Sequence, residues 1–183
     1  MKKQGDNDFL VVCLYVDDII YMVSSSSVVG EFKSSMLSRF EMTDMGLLHY
    51  FLGLKVKQME DRIFASQKKY ASDLLKKFGM VNCKSVVTPM NVNEKLQVED
   101  GTEQIDATSF RSLVGGLIYL SHTRLDISFS VGVVSRFMSK PSKQHFGAAK
   151  RILRYIAGMV DYGIWYSHVL DFKLCGFTDS DWA

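Results

Sequence analysis

The sequence predicts an α+β fold, with antiparallel strands in the first half of the chain and helices in most of the second half. Two apolar runs of strand length surround an Asp-Asp pair near the N-terminus, and both are rich in β-branched and aromatic residues. From about residue 106 to residue 157 the apolar residues recur instead at the helical period of 3.6. The 183 residues are 47% hydrophobic and 23% charged, which predicts one or two domains with a hydrophobic core.

The bulk composition excludes several classes of protein. A net charge of +2 is too mild to indicate a nucleic-acid partner without local patches. Cys13, Cys83 and Cys175 are far apart in the sequence, which favours free thiols in a reducing compartment. The four histidines form no His-x-x-x-His pair, which argues against a zinc site. The polar start, Met1–Asp8, matches neither a signal peptide nor a transit peptide.

The Asp-Asp pair lies between two predicted buried strands, Phe9–Val16 and Ile19–Val23, so Asp17 and Asp18 are expected at the turn of a hairpin. Asp-Asp is an unfavourable turn pair, because two-residue hairpins prefer Asn-Gly or Gly-Gly and neighbouring carboxylates repel. A divalent metal would remove the repulsion. The pattern leaves two interpretations open, a metal site or a solvated turn, and it argues against a membrane span because the run is short and contains two acids.

The rest of the first half contains alternating elements. The spacing of apolar residues predicts a helix over Val28–Phe40, strands over Leu48–Met59 and Arg62–Ser66, and a helix over Gln67–Phe78. Val87–Asp106 has no apolar period and is rich in acids and asparagines, which indicates a linker or an irregular surface loop.

The second half is predicted to be mainly helical. Apolar stripes run through Phe110–Ile118, Ile127–Met138 and Phe146–Ile156, the last helix starting after Pro141 with Ser142 near its cap. Short apolar runs near the end, Ile164–Tyr166 and Lys173–Phe177, are predicted to be paired strands.

The last helix has a basic face. At about 100° per residue, Lys143, Lys150 and Arg154 lie within about 40° of one another, and Arg151 lies beside them. Aligned cations suit a phosphate backbone, and Tyr155 next to them is placed to stack on a base. An ordinary solvated helix face is an equally good interpretation of the pattern.

Several motifs together resemble one family. Tyr15-Val16-Asp17-Asp18 resembles the signature hairpin of reverse transcriptases, and the surrounding sequence is similar to the Pol polyprotein of copia-type retrotransposons. The resemblance covers nearly the whole chain, in order. Its further blocks are Tyr50–Gly53, Ser66–Tyr70, Thr88–Met90, Phe110–Gly115, Lys150–Tyr155 and Thr178–Ala183.

The resemblance implies a domain organisation. Residues 1–87 would form the C-terminal half of a polymerase palm, 88–105 a linker, and 106–158 a helical thumb or connection region. Residues 159–183 would form the truncated start of an RNase H-like domain. Asp179 fits the first catalytic aspartate of that domain and would be a metal ligand in the complete one.

The resemblance also assigns roles to residues. Asp17 and Asp18 would be catalytic and would bind Mg²⁺ (or Mn²⁺), with Tyr15 and Val16 near the primer terminus. The remaining primer/template contacts would come from the grip block and the basic helix face, namely Phe51, Leu52, Gly53, Lys143, Lys150, Arg151 and Arg154.

The implied activity is RNA-directed DNA synthesis on an RNA/DNA primer–template with deoxynucleoside triphosphates, in the cytoplasm (a virus-like particle) or the nucleus, without a membrane. In this family a third palm carboxylate and the fingers precede the hairpin, and only eight residues precede Phe9. We therefore expect the chain alone to be inactive, with the N-terminal palm and fingers and the rest of the RNase H domain as missing partners. The alternative is a non-catalytic nucleic-acid- or partner-binding remnant. The blocks after Thr88 disfavour another palm enzyme such as a cyclase.

Overall fold

The structure, a computed structural model, describes residues 2–3, 8–92 and 94–168. The chain divides into two compact units, Met1–Leu48 and His49–Ala183. This division coincides with none of the domain limits given above, which follow from the family resemblance and stay predictions. Within the described residues, none of the helices has both the length and the apolar composition needed to cross a bilayer.

The first unit is a small antiparallel sheet with one helix. Strands β1 (Lys2–Lys3), β2 (Phe9–Tyr15) and β3 (Asp18–Val23) lie in that order, and α1 spans Ser26–Arg39. The register of the β2–β3 hairpin runs from Leu10 opposite Val23 to Tyr15 opposite Asp18. The predicted hairpin and helix are therefore present, with bounds that differ by one or two residues.

The prediction that the hairpin strands are buried is wrong. Leu14 is 69% exposed, Met22 is 61% exposed, and α1 has no buried residue. The strands are apolar on both faces, but among the described residues of this unit only α1 packs on the hairpin, where the rings of Tyr21 and Phe32 lie 5.0 Å apart. The apolar composition of a strand shows how much of its surface is suited to burial. The described part of this unit buries only some of that surface.

The second unit contains a four-stranded antiparallel sheet in the order β4 (Tyr50–Phe51), β5 (Leu54–Gln58), β6 (Arg62–Ser66) and β7 (Gly163–Ser167). The single strand predicted over Leu48–Met59 is wrong, because a tight turn divides it into β4 and β5. The strand predicted over Arg62–Ser66 is confirmed.

The last described strand pairs with a segment far earlier in the chain, and the pairing predicted between the two last strands stays a prediction. β7 is paired with β6, and Trp165 lies opposite Phe64 in this register. The proposed partner, Lys173–Phe177, lies outside the described residues. A pairing between segments so distant in sequence leaves no local signal, so the sequence did not reveal the pairing of β7 with β6.

Helices form the core of the second unit. They are α2 (Lys68–Lys77), α3 (Ala107–Ser121), α4 (Ser128–Ser135), which follows a 3₁₀ turn at Leu125–Ile127, and α5 (Lys143–Ala157). Most residues of the predicted stripes are buried, with Phe110, Leu117 and Ile152 fully inaccessible, but Ile118 is 39% exposed. The second predicted helix ends earlier than expected: α4 ends at Ser135, so Met138 lies beyond it.

The segment from residue 87 to residue 106 has no helix or strand in its described part, as predicted, apart from one bridge between Gln104 and Ser142. Two contacts hold this segment against the helical part of the second unit. Ile105 donates its backbone N–H to the carbonyl of Pro141 at 3.0 Å, and the carbonyl of Gln97 lies 3.0 Å from Nε2 of His145. The segment therefore packs along the start of α5.

A buried polar cluster fixes this start. Ser142 is the N-cap of α5, and the fully buried His145 completes a capping box with Nδ1 3.0 Å from the backbone N of Ser142. The hydroxyl of Ser142 also donates to Asp100. Hydrogen bonds from the hydroxyls of Ser142 and Thr102 lower the pKa of Asp100 to about 2.

Candidate functional site

The acidic pair lies at the tip of the β2–β3 hairpin, one residue out of the expected register. The two turn residues are Val16 and Asp17, while Asp18 is the first residue of β3 and lies opposite Tyr15. The prediction that Asp17 and Asp18 share the turn is therefore corrected. Side chains directly opposite in a sheet lie on one face, so Asp18 shares a face with Tyr15.

The turn is strained at Val16. This residue has a φ of 52°, in the left-handed region where a β-branched side chain is a genuine outlier. Positive φ at the first turn residue alone is the pattern of a type II′ turn, which normally has Gly there. Such a conformation costs about 1–3 kcal/mol and is typical of functional sites. The side chain of Val16 is 77% exposed, so it projects from the tip without packing to offset this.

Both carboxylates at the tip are available to a ligand. Asp17 and Asp18 are exposed, and neither carboxylate has a hydrogen bond or ion pair to another described residue. Within the described residues, no three His, Cys, Asp or Glu side chains lie together as a metal cluster. Two exposed carboxylates suit a hard divalent ion that takes its other ligands from water and phosphate. The donor set is thus compatible with Mg²⁺ or Mn²⁺ held together with a phosphate-bearing substrate.

The predicted grip block, Tyr50–Gly53, forms a second hairpin tip, in the second unit. Leu52 and Gly53 are the two turn residues, with φ values of 48° and 77°. Positive φ at both positions is the pattern of a type I′ turn, for which Asn-Gly is the usual pair. The strained residue is again an apolar one, Leu52, whose side chain is 45% exposed.

Tyr119 on α3 holds this second tip, and sequence reasoning missed it. Its hydroxyl donates to the carbonyl of Leu52, and a Cβ added at Gly53 would lie 2.7 Å from that hydroxyl oxygen. The ring of Tyr119 packs edge-on against Tyr70 with 4.6 Å between centroids. The signal in the sequence was a tyrosine within an apolar helix, since a partly buried phenol needs an acceptor.

The buried side-chain amide of Gln67 forms a hydrogen bond with the backbone of Tyr119. Gln67 is 2% exposed, and its Nε2 donates to the carbonyl of Tyr119 at 3.3 Å. Its Oε1 accepts from the hydroxyl of Thr123 at 2.8 Å. The second tip is therefore linked to the end of β6, to α2 and to the chain after α3.

The basic face of α5 is present, but its cations are less free than predicted. Lys143 forms an ion pair with Glu103 at 2.6 Å, and Arg151 donates to the hydroxyl of Thr88 at 3.0 Å. The segment from residue 87 to residue 106 supplies both partners, which the helical periodicity could not reveal.

Lys150 and Arg154 have no ion pair or hydrogen bond with a described residue, and Arg151, whose partner is a neutral hydroxyl, also keeps its charge. Lys150 is exposed, with its Nζ 4.5 Å from the ring centroid of Phe146. Arg154 is half-buried and has no ion pair with a described residue. Any phosphate contact of this face therefore depends mainly on these three side chains.

The predicted site residues thus fall into groups. The acidic hairpin tip lies in the first unit, whereas the second tip and the basic face of α5 both lie in the second. Asp179, predicted as a metal ligand of an RNase H-like domain, lies outside the described residues.

The comparison with known proteins identifies a family. Residues 1–92 match the model of the reverse transcriptase (RNA-dependent DNA polymerase) family. The chain is 37% identical over 180 residues to the "Retrovirus-related Pol polyprotein from transposon RE1" of Arabidopsis thaliana, covering 98% of this chain and 12% of the relative. It is 33% identical to the Pol polyprotein from transposon TNT 1-94 of Nicotiana tabacum, covering 100% of this chain and 14% of that relative.

A shorter relative matches over most of its own length. An uncharacterized mitochondrial protein of Arabidopsis thaliana, AtMg00810, is 38% identical over 175 residues, which cover 95% of this chain and 72% of the relative. The chain thus spans only about an eighth of the transposon polyproteins. No solved structure matches it. The chain belongs to the reverse transcriptase (RNA-dependent DNA polymerase) family, in the branch of copia-type retrotransposon Pol polyproteins.

Proposed function

We propose that this chain contributes the acidic hairpin of an RNA-directed DNA polymerase that is completed by other segments of a Pol polyprotein. The observation that carries the proposal is the exposed pair Asp17 and Asp18 at the tip of the hairpin, whose carboxylates have no partner among the described residues. Two carboxylates left uncompensated at a strained turn are explained if they bind Mg²⁺ (or Mn²⁺) together with substrate phosphates.

The chain's own residues hold this arrangement in place. The β2–β3 ladder fixes Asp18 opposite Tyr15, while the Val16–Asp17 turn presents the second carboxylate at the very tip. When bound, divalent ions would activate the primer 3′ hydroxyl and stabilise the leaving pyrophosphate. Tyr15 and Val16 then contact the primer terminus, because Tyr15 shares a face with Asp18 and Val16 projects from the tip.

The second unit binds the primer–template in this proposal. The tip formed by Phe51, Leu52 and Gly53 contacts the primer backbone, and Lys150 and Arg154 on α5 contact phosphates. The same family resemblance implies that the complete enzyme acts in a cytoplasmic virus-like particle or in the nucleus. It also implies an RNase H-like role for Asp179.

Paramagnetic broadening by Mn²⁺ tests the metal site. In NMR spectra of the 183-residue chain, Mn²⁺ should broaden the amides of residues 15–18 first. The double variant Asp17→Asn/Asp18→Asn should abolish this broadening. Glu60→Gln/Asp61→Asn is the matched control, since it neutralises an exposed acidic pair at the β5–β6 turn. Equal broadening at both turns would refute the metal site and leave a non-catalytic remnant as the better interpretation.

Primer extension tests the need for other segments. We expect no extension of a primed template by this chain alone with either Mg²⁺ or Mn²⁺, because the proposed site lacks a third carboxylate among the described residues. Extension that disappears in Asp18→Asn would show that the chain contains a complete active site and would overturn the expected inactivity.

Salt dependence tests the basic face of α5. Each phosphate contact contributes about −0.7 to the log–log slope on single strands and about −0.9 on B-DNA. The variant Lys150→Gln/Arg154→Gln should therefore flatten the slope by about 1.4 to 1.8, measured by fluorescence anisotropy with a labelled primer–template. An unchanged slope would show that this face is only solvated.

A further inference from the structure

The outer side of α4 carries a row of exposed residues that the fold of the second unit does not use. Leu125 of the 3₁₀ turn is followed by Phe129, Gly132 and Arg136, and all four are exposed. Their spacing keeps them within about 60° of one another on a helical surface, on the opposite side from the fully buried Val134. This row is here called the α4 stripe.

The two apolar side chains of the α4 stripe are open to solvent. Leu125 is 68% exposed and Phe129 is 77% exposed. They lie one helical turn apart and therefore form one apolar surface. Gly132 continues this surface without a side chain, and a Cβ added there would meet no atom within 4 Å. A glycine beside a large exposed ring allows the backbone of another helix to approach closely while the ring packs next to it.

A cavity of about 360 Å³ opens where the α4 stripe begins. Leu125 lines it together with Tyr162, Ile164 and Trp165, which lie at the start of β7. Its volume is at the small end of the range for ligand sites, which suits one bulky side chain. The cavity therefore provides a place for an anchor residue next to the apolar surface of Leu125 and Phe129.

The charged groups beside this cavity neutralise each other. Arg124 is 2% exposed and donates from Nη2 to Asp126 and from Nη1 to the carbonyl of Met159, both at 2.8 Å. Its guanidinium carbon lies 5.7 Å from the ring centroid of Tyr155 and 5.4 Å from that of Tyr162. A guanidinium held by these contacts leaves little net charge at the cavity, so the cavity favours an apolar occupant.

The far end of the α4 stripe is positive. Arg136 and Lys140 are exposed, and neither has an ion pair with a described residue. They are the only charged residues between positions 127 and 142 of the sequence, so no acid of α4 compensates them. A complementary partner has apolar side chains along its length and acids where it meets these two cations.

We propose that the α4 stripe binds an acidic amphipathic helix of a partner protein, with one bulky apolar side chain of that helix in the cavity. The α4 stripe is about 16 Å long at a rise of about 1.5 Å per residue, so a helix of about three to four turns covers it. Its apolar side chains contact Leu125 and Phe129, its backbone approaches Gly132, and its acids face Arg136 and Lys140. The site requires neither a metal ion nor a primer–template, so it is independent of the polymerase proposal.

Binding of synthetic helices tests the docking site. The probes are fluorescein-labelled peptides of about five turns, with apolar residues at i, i+3, i+4 and i+7, glutamates in the terminal turns, and Leu, Phe or Trp as the anchor. Fluorescence anisotropy with the full chain should show saturable binding, and Phe129→Ala should weaken it about 30-fold or more, as for an aromatic anchor. Scrambled peptides of the same composition should not bind. Failure of every probe to bind, or binding that Phe129→Ala leaves unchanged, would overturn the proposal.

Gly132→Gln separates binding from folding. Its side chain enters open space, and glutamine forms helices better than glycine, so the free energy of unfolding should not fall. The same side chain would hold the backbone of the peptide away, and the affinity should drop about tenfold or more. Gly147→Gln on α5 is the matched control, because Gly147 is also exposed with no atom within 4 Å of an added Cβ. Equal effects of the two variants on affinity would contradict a docking site on α4.

A charge exchange tests the acidic character of the partner. Arg136→Glu/Lys140→Glu should weaken binding of the glutamate peptide and strengthen binding of a peptide that carries lysines in place of the glutamates. Lys84→Glu/Lys95→Glu makes the same change at two exposed lysines elsewhere and should alter this preference much less. The same shift in both variants would show that only the net charge of the chain matters, which would overturn the choice of an acidic partner.

Other occupants of the α4 stripe give different results. With 4-fluorophenylalanine in place of Phe129 alone, the solvent isotope shift of the fluorine NMR resonance shows whether the ring is exposed in the free chain. Protection in a monomeric chain would mean that the chain's own residues cover the α4 stripe, and protection that rises with chain concentration would mean that a second copy does. Binding to vesicles of anionic phospholipid, but to no peptide, would assign the α4 stripe to a membrane surface. Each of these three results would overturn the proposal.

Discussion

The contact between Tyr119 and the Leu52–Gly53 turn predicts an energetic coupling that a double-mutant cycle can measure. Gly53→Ala places a methyl group 2.7 Å from the hydroxyl oxygen of Tyr119 but 3.7 Å from the nearest ring carbon. The first distance forces the hydroxyl to move, and the second is an ordinary contact. The steric conflict therefore lies with one atom, which Tyr119→Phe removes.

The expected magnitudes follow from two separable effects. At a φ of 77°, alanine in place of Gly53 costs about 1–2 kcal/mol from backbone strain alone. Displacing the hydroxyl of Tyr119 also breaks its hydrogen bond to Leu52, which adds about 0.5–1.5 kcal/mol. Tyr119→Phe alone should cost a similar 0.5–1.5 kcal/mol. Both single variants lose the hydrogen bond between Tyr119 and Leu52, but the double variant loses it only once. The cost of the double variant should therefore be smaller than the sum of the two single costs by about 0.5–1.5 kcal/mol, which is the coupling energy.

Gly79→Ala is the matched control for backbone strain. Gly79 has a φ of 64°, and an added Cβ there would meet no atom within 4 Å. Its cost should be the same in the wild-type and the Tyr119→Phe backgrounds, whereas the cost of Gly53→Ala should fall in the latter. Urea unfolding of the four variants and the two parents, with hydrogen exchange at residues 54–58, provides the free energies. Additive costs for Gly53→Ala and Tyr119→Phe would refute the inferred contact.

Three further predictions concern the second unit and the first hairpin. The hydroxyl of Ser109 and backbone N–H groups hold the pKa of Asp106 at about 2, below its unfolded value, so stability should be lost as pH falls from about 4 towards 2. Asp106→Asn should flatten this part of a plot of Tm against pH. Phe110→Ala should lower the free energy of unfolding by about 3–5 kcal/mol in urea titrations, because Phe110 is fully buried. Val16→Gly should slow hydrogen exchange across β2 and β3, since glycine relieves the strain of a positive φ.

Helices were the most predictable part of the fold. Most buried positions of α2, α3 and α5 lie on the apolar stripes of the sequence, because the faces of a helix recur within one short segment; the polar His145 of α5 is an exception. Ser142 was recognisable as a cap for the same local reason. By contrast, the ends of the strands depended on where positive φ occurs, and the residues involved, Val16 and Leu52, are ones that normally avoid it.

Long-range contacts explain the remaining differences. Lys143 and Arg151 looked free on a helical wheel, but their partners lie on a segment that has no periodicity of its own. The role of Tyr119 depends on a carbonyl 67 residues earlier in the chain. The sequence predicted which residues form the candidate acidic site, Asp17 and Asp18. Their positions relative to the turn could not be predicted, because these depend on the register of the β2–β3 pairing.

The exposed hairpin of the first unit has a consequence for the chain in solution. Within the described residues β3 is an edge strand, and Ile19, Ile20 and Met22 lie along it close to the exposed, apolar β2. An uncapped, apolar strand edge is a template on which another copy of the same strand can add. Concentrated preparations should therefore form thioflavin-positive assemblies after a lag that shortens with seeding, and a charge introduced by Met22→Lys should lengthen that lag.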